Sequence, residues 1–258
     1  MKNPMPVFNK PTIANGNYLL EFTEQKKSIR LQQALAEEAF GSLTSAQSQQ
    51  TNLPDAATPQ LPRIIFKSDR KNIAISQTNM QLDFNFESSD LDITAQIEIL
   101  EENAKEFHSR AINKFTFAKY NLNALILEIQ YSSDSSVLEL QKFIYDKFIK
   151  TPLIHPVASA QCAIGYRVAN HYVNITAYVF EHRSIDVELN ANTIVTTSIQ
   201  KRDTKLIGQG VTFRIDFNNR PISETEDFQL TDDASDIFKL AHTFISNDFH
   251  TITGLNII

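Results

Sequence analysis

Leu19-Leu20-Glu21-Phe22 reads as a strand that leads into a helix, then several strands, then a long helix. Ile126-Leu127-Glu128-Ile129 opens the same series a second time. Hairpin-linked strands with helices set apart from them indicate an α+β fold with antiparallel sheets. The expectation is two similar strand–helix–strands–helix halves, 1–120 and 121–258, in one compact unit. Their sheets are expected to be curved, as two sheets or one continuous sheet, with the long helices packed on one face.

Outward from the first strand (17–23), residues 24–40 predict a helix. Leu31, Leu35 and Ala39 form its stripe and Gly41 stops it. Residues 42–62 (SLTSAQSQQTNLPDAATPQLP) are rich in Ser, Thr, Gln and Pro and read as a flexible surface loop. Strands follow at 63–66, 72–77 and 80–86. In the last, Met80, Leu82, Phe84 and Phe86 alternate with Gln81, Asp83 and Asn85, which is the pattern of a strand with one face on a core. Ser88, Ser89 and Asp90 offer an N-cap to a helix ending near Asn113. Its apolar residues Ile93, Ile97, Leu100, Ala104, Phe107 and Ala111 are spaced 4-3-4-3-4. Such a stripe suits a helix lying across a sheet, or a seam with a partner helix, including one between subunits.

From the second strand (123–131), a helix is predicted over 135–150, with Val137, Leu140, Ile144 and Phe148 inward and Pro152 as its stop. Strands are predicted at 159–168, 171–180 and 184–190, the first two joined by a tight turn at Ala169-Asn170. The strand at 211–218 alternates as 80–86 does, and a last helix covers 232–249.

Composition narrows the function. The chain has 258 residues, 42% of them hydrophobic, which is enough for a sizeable core; with 18 Phe and no Trp, Phe supplies most of the large core volume. The net charge of −6 and the shortness of the basic clusters argue against nucleic acid, whose binding depends on neutralising phosphates. A single cysteine, Cys162, allows no intramolecular disulfide. No apolar run approaches the roughly 20 residues that span a bilayer, and residues 1–16 do not read as a signal peptide. A reducing cytoplasm is the expected location. Of six glycines only Gly208 and Gly210 are close together, and they lead into a strand, so no phosphate-cradling loop is present.

Candidate chemistry is sparse. Cys162 lies on an alternating strand with Ile164 and Tyr166 and reads as a buried structural thiol. Cys162, His171 and His182 fall on or beside neighbouring strands, but no fourth ligand and no metal-binding spacing accompany them. His242 and His250 can share a helix face. Arg167 and His171 are too close for a HEPN-type ribonuclease pair, and Glu24 with Lys26 lacks a preceding aspartate. The nearest fit to a metal-dependent nuclease is Asp186 or Glu188 with Asp203 and Lys205, since such a site needs rigid carboxylates around a divalent ion and a lysine beside the phosphate. Asp203 and Lys205 nevertheless read as an exposed turn. No cofactor and no metal site is expected.

The segments 63–77 (RIIFKSDRKNIAISQ) and 80–86, Arg214-Ile215-Asp216-Phe217, and the closing Ala241-His242, Phe249 and Ile252-Thr253 together resemble a sporadically distributed bacterial family of about this length, without assigned activity. The resemblance covers most of residues 60–255. It implies a bacterial cytosolic accessory protein, in a mobile or defence-type gene neighbourhood, and transfers no catalytic residue.

The leading expectation is therefore a non-catalytic interaction protein that recognises another protein, as a monomer or a homodimer. A small-molecule sensor with a pocket between helix and sheet comes second, and the nuclease third.

Overall fold

Met80, Leu82 and Phe84 are buried while Gln81 and Asp83 between them are half-exposed, so strand β5 (Asn79–Asn85) turns one face to a core. The same two-residue period shapes β1 (Thr12–Phe22) and β6 (Tyr120–Ser132), and it governs β9 (Lys205–Asn218) over Val211, Phe213, Ile215 and Phe217. A computed structural model describes residues 5–25, 28–54, 56–86, 90–149, 151, 155–184, 204–223 and 234–256. Its other strands are β2 (Ser48–Gln50), β3 (Ile64–Lys67), β4 (Lys71–Ile75), β7 (Gln161–Val168) and β8 (His171–Ser184).

The described strands form one open antiparallel sheet in the order β2-β3-β4-β5-β1-β6-β9-β8-β7. The choice between one sheet and two is thus settled by β1 and β6, which pair from Thr12–Gln130 to Phe22–Tyr120 and join residues of both halves. One row of side chains crosses eight strands: Phe66, Ile73, Leu82, Tyr18, Leu125, Phe217, Val173 and Tyr166. It lies on the covered side and is centred on the Tyr18–Leu125 pair.

The helices are α1 (Ser28–Leu31), α2 (Gln33–Thr44), α3 (Ile93–Lys114), α4 (Val137–Ile144), α5 (Arg220–Ser223), α6 (Ser235–Asn247) and α7 (Phe249–Thr253). Aromatic contacts show which face the larger ones cover. Phe40 of α2 meets Phe66, Phe107 of α3 meets Tyr18, Phe244 of α6 meets Phe217, and Phe249 of α7 meets Phe213. Each of these strand residues is on the apolar side. Gly16, on that side of β1, lets α3 approach: a Cβ there would lie 2.5 Å from Leu100 Cδ2.

Several elements differ from the sequence reading for identifiable reasons. The first helix breaks at Gln32, which shifts its stripe: Leu31 is exposed, while Ala36, Ala39, Phe40 and Leu43 are buried. Gly41 does not stop it, because burial of Leu43 and Thr44 adds another turn, and the chain turns out only at Ser45, at φ 54°. Within 42–62, residues 48–50 form edge strand β2. The N-cap of α3 is Asp92, whose carboxylate accepts from Ala95 N at 2.8 Å. The helix at 135–150 is capped by a Ser136–Glu139 capping box and ends as a single π turn, Tyr145–Ile149. The strand expected at 184–190 lies outside the described residues beyond Ser184, and the last helix is divided at Asp248.

Candidate functional site

With the larger helices on one side, the alternate residues of each strand point to the other. One row of that open face runs Lys67, Asn72, Asp83, Asn17, Ile126, Asp216, Asn174 and Gly165. The next runs Ile65, Ala74, Gln81, Leu19, Ala124, Asn218, Tyr172 and Arg167. Half of these residues carry an amide, a carboxylate or a hydroxyl; Leu19, Ala124 and Ile126 stand at the middle, and Ala74, Ala124 and Asn218 are buried.

Several of its polar groups are held by one another. Asn17 Nδ2 donates to Asp83 Oδ1 at 2.5 Å, and Gln81 Nε2 donates to Asp83 Oδ2 at 3.3 Å. Burial pushes the Asp83 carboxyl above the ordinary aspartate range, against the pull of these two bonds. Asn218 Nδ2 donates to Asp216 Oδ1 at 3.1 Å, and Asn218 Oδ1 accepts from Arg220 N at 3.2 Å, which fixes the turn into α5. Arg214 Nε stands 3.8 Å from Glu128 Oε1. Tyr178 beside them is raised, first by burial and then by the Glu128 charge.

Toward the β7 side the face dips into a depression of about 400 Å³, lined by Gly165, Tyr166, Arg167, Tyr172, Asn174, Asp216, Asn218 and Arg220. The absent side chain of Gly165 makes room there, since a Cβ would lie 2.8 Å from Asn174 Oδ1. Two guanidinium groups, one carboxylate, two amides and the Tyr172 phenol can hold an anionic group next to hydrogen-bonding neighbours. A second depression, of about 380 Å³, lies beside Met5, Pro6 and Phe143, where Lys142 and Asp146 are already paired with each other.

The residues singled out from sequence are placed as follows. Ile93, Ile97, Leu100, Ala104, Phe107 and Ala111 are all buried inside the chain, where α3 meets β1, α2 and α6. Asp186, Glu188 and Asp203 lie outside the described residues, and Lys205 is exposed at the start of β9. Cys162 is half-buried on the helix side of β7, and burial pushes its thiol up. His171 and His182 sit eleven positions apart on β8, a separation of about 36 Å at ~3.3 Å per residue. Burial lowers the His171 imidazole, against the pull of Asp236. Among the described residues no group of three or more His, Cys, Asp or Glu can hold a metal. His242 Nε2 lies 3.2 Å from Glu101 Oε2, whereas His250 Nδ1 lies 3.3 Å from Leu255 O, so the two histidines do not act together. Burial would raise Glu101, but its bonds from Lys105 and His242 outweigh that, and the carboxyl is lowered.

Sequence reasoning missed Asn174, Asp216, Asn218 and Arg220. Alternation marks Asn174 and Asp216 only as facing away from the core, and the register that brings three strands together is not written in any one residue. It also missed a polar cluster in the core, where the Tyr18 hydroxyl lies 2.6 Å from His108 Nδ1 and Asn123 Nδ2 reaches the same oxygen at 3.4 Å. The polar Asn123 at an inward position of β6 was its one visible sign.

No described helix is long and apolar enough to cross a membrane. No protein-family model matches the chain, and no curated protein matches it.

Proposed function

We propose that this chain is a non-catalytic recognition protein that presents the open face of its sheet to another protein, with the Arg167–Arg220 depression as the charged anchor. The supporting observation is the ordered polar row from Lys67 to Gly165. It spans eight strands, or about 34 Å at ~4.8 Å per step, which suits a macromolecule. Asn17, Asp83 and Asp216 of this row are held by side-chain hydrogen bonds in the absence of a partner, so these three lose little rotamer freedom on binding. Interspersed Asp, Glu and Arg on this face, in a chain of net charge −6, favour a protein over nucleic acid.

A duplicated origin of the two halves belongs to the same proposal. The strand order reads alike outward from β1 and from β6, and the covered row is mirrored about Tyr18 and Leu125. In that frame Ile65, Ala74 and Gln81 correspond to Gly165, Asn174 and Asp216. The second half carries a glycine and an amide where the first carries isoleucine and alanine, and it is the second half that holds the depression. A role as accessory component of a bacterial defence-type system rests on the family resemblance alone.

The test is affinity capture from the native host with tagged wild type, Ile126→Arg and Leu138→Arg. Ile126 stands mid-row, and Leu138 is 63% exposed on α4. A stoichiometric partner retained by Leu138→Arg and lost by Ile126→Arg supports the proposal; retention by a folded Ile126→Arg protein contradicts it.

The depression also favours a second reading, a small anionic ligand, because its volume falls within the range of roughly 300–1,000 Å³ common for such sites. A thermal shift with carboxylate- or phosphate-bearing metabolites that vanishes in Arg167→Ala would support it.

A further inference from the structure

The two ends of the sheet are unlike. On one side the edge is β2, three residues long; on the other it is β7, eight residues long and without a register shift. Natural sheets blunt their edges with lysine, proline, bulges or short strands. Gln161-Cys162-Ala163-Ile164-Gly165-Tyr166-Arg167-Val168 has no lysine, proline or bulge.

The direction of its backbone groups follows from the turn. Val168 pairs with His171 across two residues only, Ala169 and Asn170, with Ala169 at φ 50°. So short a loop forces the closing pair to exchange both backbone hydrogen bonds. Alternation then aims the N–H and C=O of Tyr166, Ile164 and Cys162 at β8, and those of Arg167, Gly165, Ala163 and Gln161 at the free edge. These four residues are exposed, and no described residue bonds their backbone. On the helix side Cys162, Ile164, Tyr166 and Val168 form an apolar row that is only half-buried, because the core stops there.

We propose that β7 pairs antiparallel with β7 of a second copy of this chain, joining two nine-stranded sheets across a two-fold axis. Edge-facing residues must oppose edge-facing residues, so only alternate registers are allowed. With Ile164 on the axis, Cys162 of one copy opposes Tyr166 of the other, Ala163 opposes Gly165, and Gln161 opposes Arg167. The apolar rows become continuous, no like charges meet, and each guanidinium reaches a neutral amide. Because the contact uses the same edge on both copies and the opposite edge is the three-residue β2, assembly closes at two. The open faces of the two copies become one, and the inference stands whatever that face binds.

The test is sedimentation of the full-length wild type and of two variants, with amide hydrogen exchange. Ala163→Pro removes an N–H that does not bond β8, so it is tolerated at an edge; Ala163→Lys adds exposed like charges beside the axis. Wild type is expected at twice the 29.3 kDa chain mass, with Ala163, Gly165 and Arg167 amides protected. Both variants are expected as folded monomers, and Ala163→Lys with those amides exchanging fast. If Ala163→Pro fails to fold, Ala163→Lys alone decides. A monomeric wild type up to its solubility limit overturns the proposal, as does a dimer that persists in folded Ala163→Lys.

Discussion

The Tyr18 hydroxyl lies 2.6 Å from Nδ1 of His108, a bond between fully buried partners that ties the central strand β1 to helix α3 across 90 residues of chain. The ring of Tyr18 packs edge-on against Phe107 and stacks on Phe238. Tyr18→Phe keeps those contacts and removes only the hydroxyl. It should lower unfolding free energy by about 1–3 kcal/mol, the cost of depriving a buried group of its partner. Urea denaturation followed by circular dichroism measures this, and capture of the protein partner should be unchanged.

Gly210 is required by a close approach between strands. A Cβ there would lie 2.0 Å from the Tyr131 carbonyl oxygen and 2.7 Å from the Phe180 ring. Backbone cannot yield as a side chain can, so Gly210→Ala should cost about 3 kcal/mol. Gly41→Ala is the matching control. Its Cβ meets nothing within 4 Å, and removing a mid-helix glycine should stabilise by about 0.5–1 kcal/mol. Thermal melts of the two variants should move in opposite directions.

Arg63 is fully buried, and its guanidinium is caged by main chain. Nη1 donates to Leu61 O at 2.8 Å and Nη2 to Ala57 O at 3.1 Å, with Gln77 Oε1 at 3.4 Å. The loop thus wraps around the cation that follows it. Arg63→Leu should cost about 2–3 kcal/mol, the scale of hydrogen bonds to a charged group. It should also open a cleavage site within 51–62 in limited proteolysis that is slow in wild type.

Asp83 stabilises the fold least when charged. Its carboxyl pKa is raised by burial, so the folded state binds its proton more tightly than the unfolded chain does. The stability it contributes is full below the unfolded value of about 3.9 and is lost as pH rises through the folded value. Asp83→Asn, which can still accept from Asn17, should therefore melt higher than wild type at pH 7. The gap should close as pH falls toward 3.

The alternating strands at 80–86 and 211–218 and the α3 stripe were legible because burial on one face imposes a period that single residues display. The register was not. Nothing local in Tyr18 or Leu125 says that they pair, and that pairing makes one sheet of the two halves. The Arg167–Arg220 depression was hidden for the same reason, since it depends on Gly165, Asn174 and Asp216 arriving side by side from three strands. The loop at 42–62 was misjudged at β2 because its Ser and Gln residues carry no apolar pattern, while the β3 edge supplies the backbone partners that order it.

Hydroxyl-radical footprinting of the complex recovered from the native host asks most directly which face is used. Tyr172 and Tyr178 stand on the open face of β8, and Leu138 is exposed on the helix side. Binding through the open face should protect both tyrosines several-fold and leave Leu138 unchanged. Protection confined to Leu138 and its helical neighbours, with both tyrosines still reactive, would contradict it.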